Sequence, residues 1–429
     1  MAVLNHDVLF LVFQFLDLPD KIRLERTCAV WQRLLLKTWV AVTEIDLEKH
    51  LYEPFRGVEI RDLVLASVLK RCGRNLEKLT LFSSRSSCSV VAFARKFEIS
   101  TESLFSIAEL CPRLKALEMP CHIFPSVQTF EMILELPLSL QKLTLDFGRL
   151  DANDFSDGQR AQQILCRFFA NFRNLTSFCM SGRGSCYGYL KITSEDLQFL
   201  HNSVKHLDLS AGQAVKIGDL QFCRRLPNLE SLFLARSDIT ENHLFDLCPN
   251  LKQLDLSYSR QVRNFAALSA LLNLEHLVLD GNRDNLTDSN LAAICLRCVK
   301  LRHLSLESCT GLTGYGLDAI GNLKQIVYLS LCGVNQMVDS TLAEICASCS
   351  QLRHFQLKYC RRLTKEWLLY LKWLPKLEHL GVNGVFGFDE DVLAELLLNT
   401  NLRCLEAIDC SALKIDRARY LALNVKLVI

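Results

Sequence analysis

The chain has 429 residues, half of them hydrophobic, with only 9 prolines and 18 glycines, which excludes a disordered or collagen-like chain. Forty-nine basic and 47 acidic residues leave a formal charge of +2, so nothing global points to nucleic acid or an anionic membrane as partner. The 19 cysteines fall far below the density of a disulfide scaffold and are expected as reduced thiols, used as small hydrophobes in cytoplasm or nucleus.

The first predicted elements are helical. In LNHDVLFLVFQFLDLPDKIRLERTCAVWQRLL, residues 4–35, Val8, Leu9, Val12, Phe13 and Leu16 recur at helical spacing, with Asn5 placed to cap them. Pro19 suits the first turn of a second helix carrying Ile22 and Leu24. Cys28, Trp31 and Leu34 form a third apolar group. A helical module over residues 1–40 is marginal alone and needs something to pack on. The apolar stretch before Leu18 is not expected to be a secretory leader. Asp7 precedes it without Lys or Arg, and no small-residue cleavage site follows. No run of 18 apolar residues suggests a membrane span. The last residues, VKLVI, place Lys426 where a prenylated cysteine would stand, so no lipid is expected there.

From residue 41 the pattern Leu-x-x-Leu-x-Leu takes over. Copies start at Leu76, Leu114, Leu140, Leu175, Val204, Leu229, Leu251, Leu274, Leu301, Ile326, Leu352, Leu377 and Leu402, and VTEIDL at Val42 is a plausible first one. The last five spacings are 27, 25, 26, 25 and 25 residues. This period marks a leucine-rich repeat. Alternating leucines give a short strand with one buried face, and ENHLFDLC, DSNLAAICLRC and DSTLAEICASC carry the helix-spaced residues that return the chain. One unit cannot bury its own face, so neighbours stack. The fold class is α/β: about fourteen repeats over 41–429 in a horseshoe solenoid, its parallel sheet on the concave side. Spacings of 38 and 35 residues after Leu76 and Leu140 mark insertions at 83–97 and 151–159, of the kind that often carry binding.

Three stretches invite a chemical reading. Cys295, Cys298, His303 and Cys309 have something of a zinc spacing. However, Cys349, Cys111 and Cys248 hold the place of Cys298 in other repeats, Cys346 that of Cys295, and Cys360 and Cys410 that of Cys309. Positions set by the repeat are structural, so no metal is expected. His206, His276, His303, His354 and His379 likewise share one strand position, expected to be solvated on the concave face. Gly182, Gly184 and Gly188 are not spaced as a dinucleotide fingerprint and do not follow the first strand of a nucleotide fold, which leaves a flexible loop. No nucleophile–base–orienter set emerges; no catalytic residue and no cofactor are expected. The lysines and arginines of the concave side (Lys78, Lys142, Arg236, Lys358) are scattered, unlike the basic floor of a small-molecule sensor.

Residues 4–35 resemble an F-box, whose pattern runs LPxEhhxxIFxFLxLxDLxRxxxVCxxWxxL, with h apolar. Leu4, Val8, Leu9, Val12, Phe13, Phe15, Leu16, Leu18, Asp20, Arg23, Cys28, Trp31 and Leu34 match without a gap; Asn5 replaces the usual Pro and Thr27 the usual Val. Trp39, Arg71, Cys72 and Gly73 are similar to the junction that follows it in F-box/LRR proteins. The resemblance covers the whole chain. It implies a non-catalytic substrate receptor of an SCF (Skp–cullin–F-box) ubiquitin ligase, with the Skp adaptor, the cullin and a protein target as partners. Leu4, Val8, Leu9, Val12, Phe13, Leu16, Leu18, Cys28, Trp31 and Leu34 would then face the adaptor. For the target, exposed strand positions and the rim just past them nominate Phe233, Arg236, Tyr258, His303, Tyr328, His354, Lys358 and Tyr359. A leucine-rich-repeat scaffold without a role in degradation is the alternative.

Overall fold

Each copy of the motif becomes a strand, because its second and third apolar residues are buried while the residues between them face out. The structure is a computed structural model and describes residues 5–55, 60–81, 97–98, 100–120, 127–146, 158–181, 192–210, 217, 219–386, 388–399, 402–410 and 426–428. Leu4, the glycine run at 182–191 and most of both insertions (83–96 and 151–157) lie outside the described residues.

The chain divides into two compact units, Met1–Lys216 and Ile217–Ile429, and residues 1–40 share the first unit with the early repeats. That first unit opens with three helices: α1 (His6–Gln14), α2 (Leu18–Leu24) and α3 (Ala29–Thr38). Asn5 accepts from the Asp7 N–H to cap α1, and Pro19 sits in the first turn of α2, capped by Asp17. Parallel strands follow at Glu44–Asp46, Lys78–Thr80, Ala116–Pro120, Lys142–Asp146, Ser177–Ser181 and His206–Asp208. Their register carries one buried row through Ile45, Leu79, Leu117, Leu143, Phe178 and Leu207. Behind them Phe168 stacks on Phe172 at 4.2 Å and Phe169 meets Phe178 edge-on at 4.9 Å.

In the second unit parallel strands lie at Ser231–Phe233, Gln253–Asp255, His276–Val278, His303–Ser305, Tyr328–Ser330, His354–Gln356, His379–Gly381, Cys404–Glu406 and Lys426–Val428. The last follows no copy of the motif. Spacing limits the return segments without fixing them, since the 25-residue repeats after Leu301 and Leu352 hold only short helical pieces, Gly314–Asp318 and Leu368–Leu371. Where strands are 25 to 27 residues apart there is room for full α-helices, as at Asp288–Arg297 and Asp339–Ser348. The shorter repeats after Leu229 and Leu251 manage only 3₁₀ turns, Glu241–Asp246 and Ala266–Ala270, so ENHLFDLC is not an α-helix. The fold is a leucine-rich-repeat solenoid.

The cysteines of the repeat have a definite task. Just past several strands of the second unit, a side chain reaches back to a buried carbonyl of the preceding coil. Asn282 donates its amide to Leu256 O at 3.0 Å. At the same place in later coils, thiols donate instead: Cys309 to Leu279 O (3.2 Å), Cys360 to Leu331 O (3.2 Å) and Cys410 to Val382 O (3.3 Å). Burial pushes the thiols of Cys309 and Cys360 up to about 12, which keeps the proton that makes them donors. Leu279 O also accepts from the Asn282 amide at 2.8 Å, so Cys309→Ala is expected to cost about 1 kcal/mol in urea unfolding, chiefly from the lost side-chain volume, with Cys309→Asn milder.

Candidate protein-binding surfaces

Two surfaces carry the residues nominated above, one in each unit. On α1 the apolar residues divide. Phe13 is buried and meets the Trp31 ring edge-on at 5.2 Å, locking α1 to α3, with Leu9, Leu16 and Leu34 half-buried beside this seam. On the other side Val8, Leu11, Val12 and Phe15 are 42, 55, 48 and 89% exposed. Their spacing of three and four puts them in one stripe. The single stripe expected from Val8 to Leu16 is thus corrected. The helix is apolar nearly all round, so periodicity could not say which side the module keeps for itself. Phe13 and Leu18, nominated as contacts, are interior residues; Leu11 and Phe15, not nominated, are the exposed ones. Cys28 caps α3, its sulfur accepting from Trp31 N at 3.5 Å.

The module is fastened to the first repeats by a charge held out of water. Glu25, 8% exposed, accepts from the Trp39 indole N–H and from Arg71 at 3.2 Å. The Arg71 guanidinium also lies over the Trp39 ring, 5.8 Å from its centre. Gly73 follows because a Cβ there would press on the Leu110 carbonyl.

The open sheet face of the second unit carries a ladder of rings. His276, His303, Tyr328, His354 and His379 stand in register on successive strands, with centroids 3.7, 4.0, 6.2 and 4.3 Å apart. The expected solvated histidines are corrected here: each ring shields the next, and all five are half-buried, while His206 in the first unit is exposed. Burial, then the neighbouring His276 and His354, drives the imidazole of His303 down to about 3. His303 therefore stays neutral when folded but takes a proton near 6.5 when unfolded. Stability is then full above that pH and is lost as pH falls below it. Against the parent, His303→Phe is expected to be about 2 kcal/mol more stable at pH 4.5 than at pH 7.5 in paired urea titrations.

The stretch that suggested zinc is dispersed by the fold. Cys295 and Cys298 are buried between coils, the latter donating to Leu268 O at 3.5 Å, and Cys309 serves Leu279, while His303 stands in the ring ladder. Among the described residues no three His, Cys, Asp or Glu side chains converge as a metal site.

The other nominated residues form separate rows. Phe233 lies on the sheet face two positions on from the ladder row, and Lys358 is held by Glu406 at 2.5 Å. Arg236, Tyr258 and Tyr359 share the residue just past the strand, where the backbone turns left-handed (φ 65°, 57° and 59°). Gly281, Gly333 and Gly384 hold the same place in other coils, where φ > 0 suits glycine. At Gly281 and Gly384 a Cβ would also strike the rings of Tyr258 and Tyr359. Arg236 in turn covers Tyr258, 5.3 Å from its centre. No helix of the described residues is long and apolar enough to cross a membrane.

No family model matches the chain. F-box/LRR-repeat protein 4 of Bos taurus is 29% identical over 162 residues, 36% of this chain and 26% of that protein. Disease resistance protein RPP2A of Arabidopsis thaliana is 25% identical over 220 residues, 49% of this chain and 16% of that protein. Putative RNA-binding protein EEED8.10 of Caenorhabditis elegans is 24% identical over 408 residues, 90% of this chain and 50% of that protein. The chain thus spans half or less of the length of these relatives. A chain of the yeast Rad7 and Elc1 complex superposes with a TM-score of 0.58 at 19% identity, over 98% of this chain and 92% of that one, a likeness of fold. Taken with the F-box pattern and the repeat, these likenesses show a chain that resembles the F-box/LRR proteins.

Proposed function

We propose that the protein is the target-binding subunit of an SCF-type ubiquitin ligase. The observation that carries this is the exposed stripe Val8, Leu11, Val12 and Phe15, on a three-helix module whose sequence matches the F-box pattern. So much apolar surface on one short helix marks a protein-binding face. In this reading the stripe docks the Skp adaptor, the cullin joins through it, and the open sheet face of the repeats holds the target. The chain performs no bond chemistry; the ubiquitin-conjugating enzyme borne by the complex does. Its place of action is the cytoplasm or nucleus, where such complexes work on reduced, soluble targets. The RNA binding for which the Caenorhabditis elegans relative is named finds no matching chemistry on this face. The sheet face presents Asp255, Asp280 and Glu307, the wrong sign for a phosphate backbone. The test is co-purification of adaptor and cullin with the full chain, at one copy each. A chain recovered with neither overturns the proposal.

A further inference from the structure

We propose that the target is held through an arginine of an extended basic segment, seated on the sheet face of the second unit at Asp280 and Glu307. This rests on the receptor reading above and names the chemistry of its partner. In the outward-facing rows beyond the ring ladder, charges are unevenly settled. Lys358 is the single base of those rows among the described residues, and Glu406 holds it. Along the edge of the sheet Glu230 pairs with Lys252, and Glu378 with Arg353 and Arg403. Asp255, Asp280 and Glu307, on three consecutive coils, form no ion pair among the described residues. They accept only from neutral donors: Ser257 to Asp255, Ser305 and the Glu307 N–H to Asp280, Ser330 to Glu307.

A half-buried carboxylate without a cation is a cost that a positively charged partner removes. These carboxylates offer acceptors and ask for donors. The carboxylates do not converge on a point where a metal ion could sit. Asp280 and Glu307, each two residues past the paired Val278 and Ser305, stand on successive coils about 5 Å apart, a separation that suits a flat guanidinium with five N–H donors better than a compact ammonium. Tyr328, on the next strand, lies within reach of both charges: burial, then neighbours that include Glu307 and Asp280, push its phenol up to about 12.

The probe is an acetylated and amidated Gly-Arg-Gly-Arg-Gly peptide, titrated calorimetrically into the full chain, with glutamine and glutamate counterparts as controls. The arginine peptide is expected to bind saturably, the controls not at all. Asp280→Asn should weaken binding about tenfold, and Asp280→Asn with Glu307→Gln about a hundredfold, at an unchanged melting temperature. Equal binding of arginine and glutamine peptides, tighter binding of the glutamate peptide, or undiminished binding by the double variant would overturn the proposal. Adaptor binding, read in parallel, separates the two ideas. A chain that takes the adaptor but not the arginine peptide refutes only this inference; one that takes the peptide but no adaptor refutes only the receptor reading.

Discussion

Val12→Asp with Phe15→Asp is expected to abolish co-purification of the adaptor and cullin while leaving the protein folded. Both side chains already stand about half or more in water, so a carboxylate there costs the fold little. On a docked face the same carboxylates would be buried without partners, a cost of several kcal/mol that weakens docking steeply. Phe13→Ala and Trp31→Ala are expected to behave differently. Phe13 is interior, and the pair is the seam between α1 and α3, so truncation costs about 3 kcal/mol and loses the adaptor through loss of the module. Circular dichroism separates the two routes: the aspartate pair should melt with the parent, the alanine pair earlier. Adaptor capture that survives the aspartate pair would show that the exposed stripe is not the dock.

The second large effect is expected at the junction. Arg71→Ala leaves Glu25 charged and nearly buried with only the Trp39 indole for company, which should cost about 3 kcal/mol in urea unfolding. Removing both charges, Arg71→Leu with Glu25→Leu, should cost less, because no stranded carboxylate remains. A double variant as damaged as the single one would mean that packing, not charge, fastens the module.

Strand positions were legible because the repeat imposes them. Leucines three and five places into each copy must face in, so Leu254, Leu277, Leu304 and Leu329 could be assigned to the core from spacing alone. The strand at Lys426–Val428 was missed because its segment lacks the leading leucine. The facing of α1 was not legible, since Leu11 and Phe15 are as apolar as Leu9 and Phe13 and only the third helix decides between them. The histidines illustrate a different limit. Their shared position follows from alternation, but stacking depends on in-register neighbours all being rings, and Tyr328 completes a run that a histidine search passes over. The left-handed residues left a signal that could have been read. Gly281, Gly333 and Gly384 recur in the very place of Arg236, Tyr258 and Tyr359, which marks a backbone that turns the same way in these coils of the second unit.

A target held by the repeats should be delivered for ubiquitylation, not merely held. The most direct measurement quantifies ubiquitin remnants on the proteins bound to the full chain, purified from cells with the proteasome blocked, against the Val12→Asp, Phe15→Asp variant. The same bound proteins are expected in both samples, with their ubiquitin remnants falling at least fivefold in the variant. Equal remnants on equally bound proteins would contradict it and leave the chain a scaffold.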